Sequence, residues 1–71
     1  SKAIDLNQIY AKAYYKRGAA YNFKGLLDNA IEDFSKAINL NPNDSDAYNN
    51  RGNAYTSKGL YDKAIEDYNK A

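Results

Sequence analysis

The sequence predicts an all-α fold built as a stack of antiparallel helix pairs. Three observations lead there. First, a set of residues returns at one fixed spacing. Ala13, Tyr14, Arg17, Gly18, Tyr21, Gly25, Ala30, Ile31 and Asp33 recur thirty-four positions later as Ala47, Tyr48, Arg51, Gly52, Tyr55, Gly59, Ala64, Ile65 and Asp67. A fixed period of this size marks a repeat array. Second, the apolar residues within each copy fall at steps of three and four, the spacing of one helix face. Third, Gly25, Pro42 and Gly59 stand where those helical runs stop.

Taken in order, Ser1 to Asn7 repeat the pattern of Ser35 to Asn41, with Asp5 where Asn39 stands. Residues 1–10 are therefore expected to be the C-terminal part of a preceding repeat. A full repeat follows over 11–44. A second repeat, 45–71, is short in its second helix. The first helix is expected over Tyr10 to Lys24, with Ala13, Tyr14, Gly18 and Tyr21 on its apolar stripe. Glycine inside a helix costs about 1 kcal/mol relative to alanine. Gly18, with Gly52 at the same place in the other copy, predicts the close approach of a neighbouring helix. Gly25 reads as a left-handed cap.

The second helix is expected over Leu27 to Leu40, on an apolar stripe of Leu27, Ala30, Ile31, Phe34, Ala37 and Ile38. Its outer face carries Asp28, Glu32 and Lys36, and Glu32 precedes Lys36 at the favourable spacing of four. Asn41-Pro42-Asn43-Asp44 ends it, because proline cannot continue the ladder and disfavours helix before it. Asp44 or Ser45 then caps a third helix, Ser45 to Lys58. After Gly59 a fourth helix carries Tyr61, Ala64, Ile65, Tyr68 and Ala71 on its stripe.

Composition narrows the function classes. Ten basic and nine acidic residues leave a net charge of +1, without the basic excess of a nucleic-acid or anionic-membrane binder. The absence of cysteine and histidine removes disulfides and Cys/His zinc sites. No apolar run approaches the ~20 residues of a membrane span, and the charged opening does not read as a signal peptide. No cofactor motif is present. No catalytic group of residues emerges either: Glu32-Asp33 and Glu66-Asp67 are sequence neighbours that diverge on a helix, and they read as solvated faces. The expectation is a non-enzymatic protein.

The thirty-four-residue unit resembles the tetratricopeptide repeat. The residues that carry the resemblance are Tyr14, Gly18, Tyr21, Ala30, Phe34, Ala37 and Pro42 in the first copy, and Tyr48, Gly52, Tyr55, Ala64, Tyr68 and Ala71 in the second. The resemblance covers essentially the whole chain. Arg17 and Arg51 stand where the family usually has leucine, Leu26 and Leu60 where a polar residue often opens the second helix, and Gln8 where the proline would be. The resemblance implies a right-handed superhelical stack whose first helices line a concave face. Its six aromatics, Tyr14, Tyr21, Tyr48, Tyr55, Phe34 and Tyr68, are expected in the core.

Function in such a fold comes from shape. The resemblance implies a scaffold whose concave face holds an extended peptide or a segment of a protein partner. The candidate groove residues are Lys12, Tyr15, Lys16, Asn22, Asn49, Asn50 and Asn53. Asparagine is a poor interior helix former, so a cluster of three needs a reason, and a carboxamide both donates to and accepts from peptide backbone. In the family, asparagines of this helix contact peptide backbone, and Asn50 matches that position best. Lys12 and Lys16 share a face and suit a carboxylate, although the order of lysine and asparagine departs from the family's carboxylate clamp. Tyr15 and Phe23 read as aromatic anchors. Arg17 and Arg51 are expected to pair with Asp33 and Asp67. An alternative reading is a self-associating module: Ile4 and Leu6 at one end and Ile65 and Tyr68 at the other expose apolar stripe, and head-to-tail contact makes oligomers or filaments. A third, an RNA reader of the related thirty-five-residue class, fits neither the period nor the charge.

Overall fold

The computed structural model describes the backbone of residues 2–71 and the side chains of residues 6–71. Four helices follow in order: α1 (Lys2–Phe23), α2 (Leu27–Leu40), α3 (Ser45–Lys58) and α4 (Tyr61–Lys70). Each packs mainly against its sequence neighbour, and α1 touches α3 only slightly. The Cα trace spans 40 × 25 × 13 Å, a thin layer of helix pairs held mainly by contacts between helices adjacent in the chain. Among the described residues, no helix is long and apolar enough to cross a membrane.

The two helix pairs are closed by the same device. Leu26 N–H reaches Tyr21 O at 2.9 Å and Gly25 N–H reaches Asn22 O at 3.0 Å. Leu60 and Gly59 repeat this on Tyr55 and Thr56 at 2.9 and 3.0 Å. Two crossed bonds of this kind need a left-handed residue after the helix, and Gly25 and Gly59 supply φ of 82° and 83°. Helix α2 has no side-chain cap at Leu26, but Asp28 in its first turn faces the positive end of the helix dipole. Helix α3 is capped by Asp44, whose carboxylate accepts from Ala47 N–H at 3.2 Å. Asp44→Ala should cost about 1 kcal/mol, to be read as a lower urea midpoint with an unchanged slope; no shift would mean that Asn41 and Pro42 alone end one helix and start the next.

The first helix is the main correction to the expected element order. A separate start near Tyr10 was expected, yet α1 runs unbroken through Asn7-Gln8-Ile9. The reason is Gln8. Pro42 breaks the chain at the equivalent place, whereas Gln8 keeps its amide proton and leaves Asn7 free to stay helical. The expected exposure of Ile4 lies outside the described residues.

The two glycines inside helices mark the closest packing. A Cβ on Gly18 would stand 2.9 Å from the Phe34 ring, and one on Gly52 would stand 2.8 Å from the Tyr68 ring. The ring of the second helix thus sits in the gap left on the first. Ala37, Ile38 and Ala47 join the two repeats, with Tyr14, Tyr15 and Tyr48 packed around them. Of the six aromatics expected in the core, Phe34 is fully buried, but Tyr14, Tyr21, Tyr48 and Tyr55 are half-buried and Tyr68 is 39% exposed. Tyr68 occupies Phe34's position, but among the described residues no helix packs over its outer side. Ala13, expected on the core stripe, is exposed, and Ala11 is buried in its place.

Glu32-Asp33 and Glu66-Asp67 do not form simple solvated faces either. Glu32 and Glu66 are exposed, but Asp33 and Asp67 are each only 2% exposed. The Arg17 guanidinium donates to both Asp33 oxygens at 2.6 and 2.9 Å. Arg51 does the same to Asp67 at 2.8 Å twice and also donates to Ser35 Oγ at 3.0 Å. Each guanidinium lies over two tyrosine rings, 5.7 and 5.8 Å from those of Tyr14 and Tyr21, and 5.6 and 5.8 Å from those of Tyr48 and Tyr55. The half-exposure of these tyrosines follows: one side of each meets an arginine, not a core. The hydrogen bond and charge of Asp33 raise the Arg17 pKa above the ordinary range, and the hydrogen bond of Asp67 raises that of Arg51 against the effect of burial. A raised arginine adds stability that is lost only as pH climbs past the ordinary arginine range, so neither guanidinium is a switch at working pH.

Candidate functional site

The expected groove residues lie on α1 and α3, the first helix of each pair. At their centre, Asn50 donates through its side-chain nitrogen to the Tyr15 hydroxyl at 2.6 Å. This bond spans the two repeats and leaves the Asn50 carbonyl oxygen open to a donor. Tyr15 is not the exposed anchor expected of it. It is half-buried, and its ring meets that of Phe34 at 5.9 Å with a 54° tilt. Phe23, by contrast, is 95% exposed.

Beside this bond is a cleft of about 360 Å³ lined by Gln8, Ala11, Lys12, Tyr15, Asn41, Asp44 and Asp46. Lys12 stands on one wall and Asp44 and Asp46 on the other, so the cleft carries both charges. Gln8, Asn41 and Asp44 were not among the expected site residues. Gln8 reaches the cleft only because α1 continues past the expected break. Asn41 and Asp44 come from the turn, where helical periodicity gives no signal.

The remaining candidates divide. Lys16 and Asn49 are exposed, and among the described residues neither has a side-chain partner. Asn53 accepts from the Tyr68 hydroxyl at 2.6 Å, so part of its hydrogen-bonding capacity is spent within its own repeat. Asn22 is half-buried at the C-terminal end of α1, where its backbone carbonyl accepts from Gly25. The structure thus brings Lys12 and Tyr15 together on one cleft with Asn50 bonded to Tyr15, sets Lys16 and Asn49 on open helix surface, and leaves Asn22 and Asn53 in structural contacts. Among the described residues, no group of three His, Cys, Asp or Glu side chains is placed to hold a metal ion.

Two stacked helix pairs of one period, each with a glycine under an aromatic ring, are what a family model for the tetratricopeptide repeat matches over residues 11–44 and 45–71. The chain belongs to the tetratricopeptide-repeat family. Its fold is accordingly the all-α repeat stack expected from the sequence. Two crystal structures of MamA are similar to it. Both align at 46% identity over 96% of this chain with a TM-score of 0.84. The chain spans about 40% of the first and 37% of the second. No curated protein matches the sequence. Membership in this repeat family, together with the MamA likeness, supports a protein-interaction scaffold.

Proposed function

We propose that this tetratricopeptide repeat pair holds an extended segment of a protein partner along the face formed by α1 and α3. The observation that carries the reading is the Tyr15–Asn50 bond between repeats, flanked by side chains that stay free. Asn50 presents its carbonyl oxygen, Asn49 a whole carboxamide, and Lys12 and Lys16 two cations spaced by one helical turn. A carboxamide pairs with a peptide group of any sequence, and a lysine pair adds preference for an acidic residue or a terminal carboxylate. The tyrosine is held by Phe34 and Asn50, so little side-chain freedom is lost on binding.

The test is selection of random twelve-residue peptides displayed on phage, followed by titration of the winners. Asn50→Ala and Lys16→Glu should each weaken the selected peptides by roughly tenfold, the loss of one or two charge-assisted or buried hydrogen bonds. Peptides that bind both variants as well as the parent would place the binding surface elsewhere.

A second reading, self-association, is favoured by a separate observation. Leu6, Ile9 and Tyr10 on α1, and Tyr61, Ile65 and Tyr68 on α4, are all exposed large apolar residues at opposite ends of the stack. Apolar patches of that kind mark interaction surfaces more than scattered single residues do. Sedimentation that shows a monomer at every concentration would exclude this reading and leave the peptide reading untouched.

A further inference from the structure

We infer that the cleft between α1 and α3 takes an arginine side chain of the bound segment, and that an acidic side chain one residue away from it faces Lys16; the inference rests on the peptide reading above. The two helices face each other here through positions at which the repeats differ. Lys12 and Asp46 occupy one place in the repeat and carry opposite charges. Tyr15 and Asn49 differ likewise, as do Lys16 and Asn50, while Tyr14, Gly18 and Tyr21 return unchanged as Tyr48, Gly52 and Tyr55. The side chains that hold each helix pair together are the same in both copies, and those that line the shared face are not.

Lys12 shares the cleft with Asp44 and Asp46, so two carboxylates face one ammonium and the cleft is acidic on balance. The ion pairs of the described residues join Arg17 to Asp33, Lys36 to Glu32, Arg51 to Asp67 and Lys58 to Asp28. Lys12 and Asp46 enter none of them, although they line one cleft and both are exposed. Asp44 gives one carboxylate oxygen to Ala47 N–H and keeps the other. Gln8 and Asn41 add carboxamide oxygens to the lining. The volume of about 360 Å³ is at the small end of ligand pockets, about 300–1,000 Å³, and suits one long side chain. Arginine brings five donors in a planar fork and no acceptor, the complement of walls rich in carboxylate and carboxamide oxygens. Lysine brings the charge without the fork.

The second half of the inference is a matter of register. Lys16 lies outside the cleft, on open surface. It follows Lys12 by one helical turn, about 6 Å of rise along α1. Side chains on one side of an extended segment recur at every second residue, about 6–7 Å apart. A segment running along α1 with one side chain in the cleft therefore sets its next same-side residue at Lys16. The ammonium there is free and suits a carboxylate. Lys12, offset by the two aspartates beside it, competes poorly for the same group.

The test is to run the phage selection on the parent chain and on Asp46→Lys and Asp46→Asn, with circular dichroism to check that both variants fold. Peptides selected by the parent should carry an arginine with an acidic residue two positions away. Synthetic copies with that arginine replaced by alanine should bind roughly tenfold more weakly. Asp46→Lys should weaken the parent's peptides by a similar factor, and its own selection should enrich an acidic residue where the parent enriched arginine. Asp46→Asn, which keeps the size of the side chain, should fall between the two. Peptides that need Asn50 and Lys16 but show no enriched arginine, or that bind both Asp46 variants as well as the parent, overturn the arginine cleft and leave the peptide reading standing. An enriched arginine with no acidic residue at that spacing overturns the register at Lys16. A parent that selects nothing, or peptides indifferent to Asn50→Ala and Lys16→Glu, overturn the peptide reading itself.

Discussion

Phe34→Ala should leave the chain largely unfolded at room temperature, whereas Tyr68→Ala, the same change one repeat later, should leave it folded. The two side chains are equivalent in sequence and in geometry. Each ring fills the gap over a helical glycine, Gly18 for Phe34 and Gly52 for Tyr68. They differ in cover. Phe34 is fully buried and also meets the Tyr15 ring. Tyr68 keeps one side in solvent, and its hydroxyl is held by Asn53 and Thr56. Truncating a buried phenylalanine costs about 3–5 kcal/mol. A chain of this length has about 4–10 kcal/mol in total, and the thin, locally connected stack belongs at the low end. The loss at Phe34 therefore matches the whole stability. At Tyr68 less area is lost and water fills the gap, so about 1–2 kcal/mol is expected. Urea titration followed by circular dichroism decides it. Equal losses at the two positions would mean that Tyr68 is covered in solution, as it would be in an end-to-end stack, and repeating the titration at high dilution separates the two cases.

The same contrast explains what was legible in the sequence. The bounds of α2 and α3 were legible because each has a chemical stop: Gly25 before α2, Pro42 between the two, Asp44 as cap and Gly59 after α3. The extra turns of α1 were not, since homology between Ser1–Asn7 and Ser35–Asn41 predicts the same turn while the single change to Gln8 removes it. Periodicity also treats equivalent residues alike. It placed Ala13 with Ala47 and Tyr68 with Phe34, but burial depends on which neighbour is present. Of the candidate groove residues, Asn49, Asn50 and Asn53 stood out through their cost to the helix, and Asn50 through the family resemblance. The pairing of Asn50 with Tyr15 was not, because it joins residues 35 positions apart across two repeats. The arginines are the converse case. Arg17 with Asp33 and Arg51 with Asp67 are both sixteen residues apart, so the pairing was readable from the repeat. The burial of those aspartates was not, since adjacent acidic residues look solvated until one is seen to face inward.

That burial sets the other large effect. Arg51→Met should destabilise the chain by about 3 kcal/mol or more near neutral pH, the scale for stranding one partner of a buried pair. Asp67 would lose both of its guanidinium bonds while its carboxylate stays enclosed. Ser35 would lose its donor as well, and the rings of Tyr48 and Tyr55 their cation. An enclosed carboxylate without a partner is costly to bury. Arg51→Met with Asp67→Leu removes both charges and fills the space with apolar atoms. It should recover most of the lost stability, since apolar replacement of a buried pair is often neutral. Thermal unfolding of the parent, the single and the double variant at pH 7 tests both statements. A single variant that is no less stable at pH 7 would show that the guanidinium contributes nothing net, and that tyrosine packing and the glycine–ring contact hold the second repeat by themselves. A double variant as unstable as the single would show instead that Arg51 acts through Ser35 and the two tyrosines, which makes it a fastener between repeats more than the counterion of Asp67.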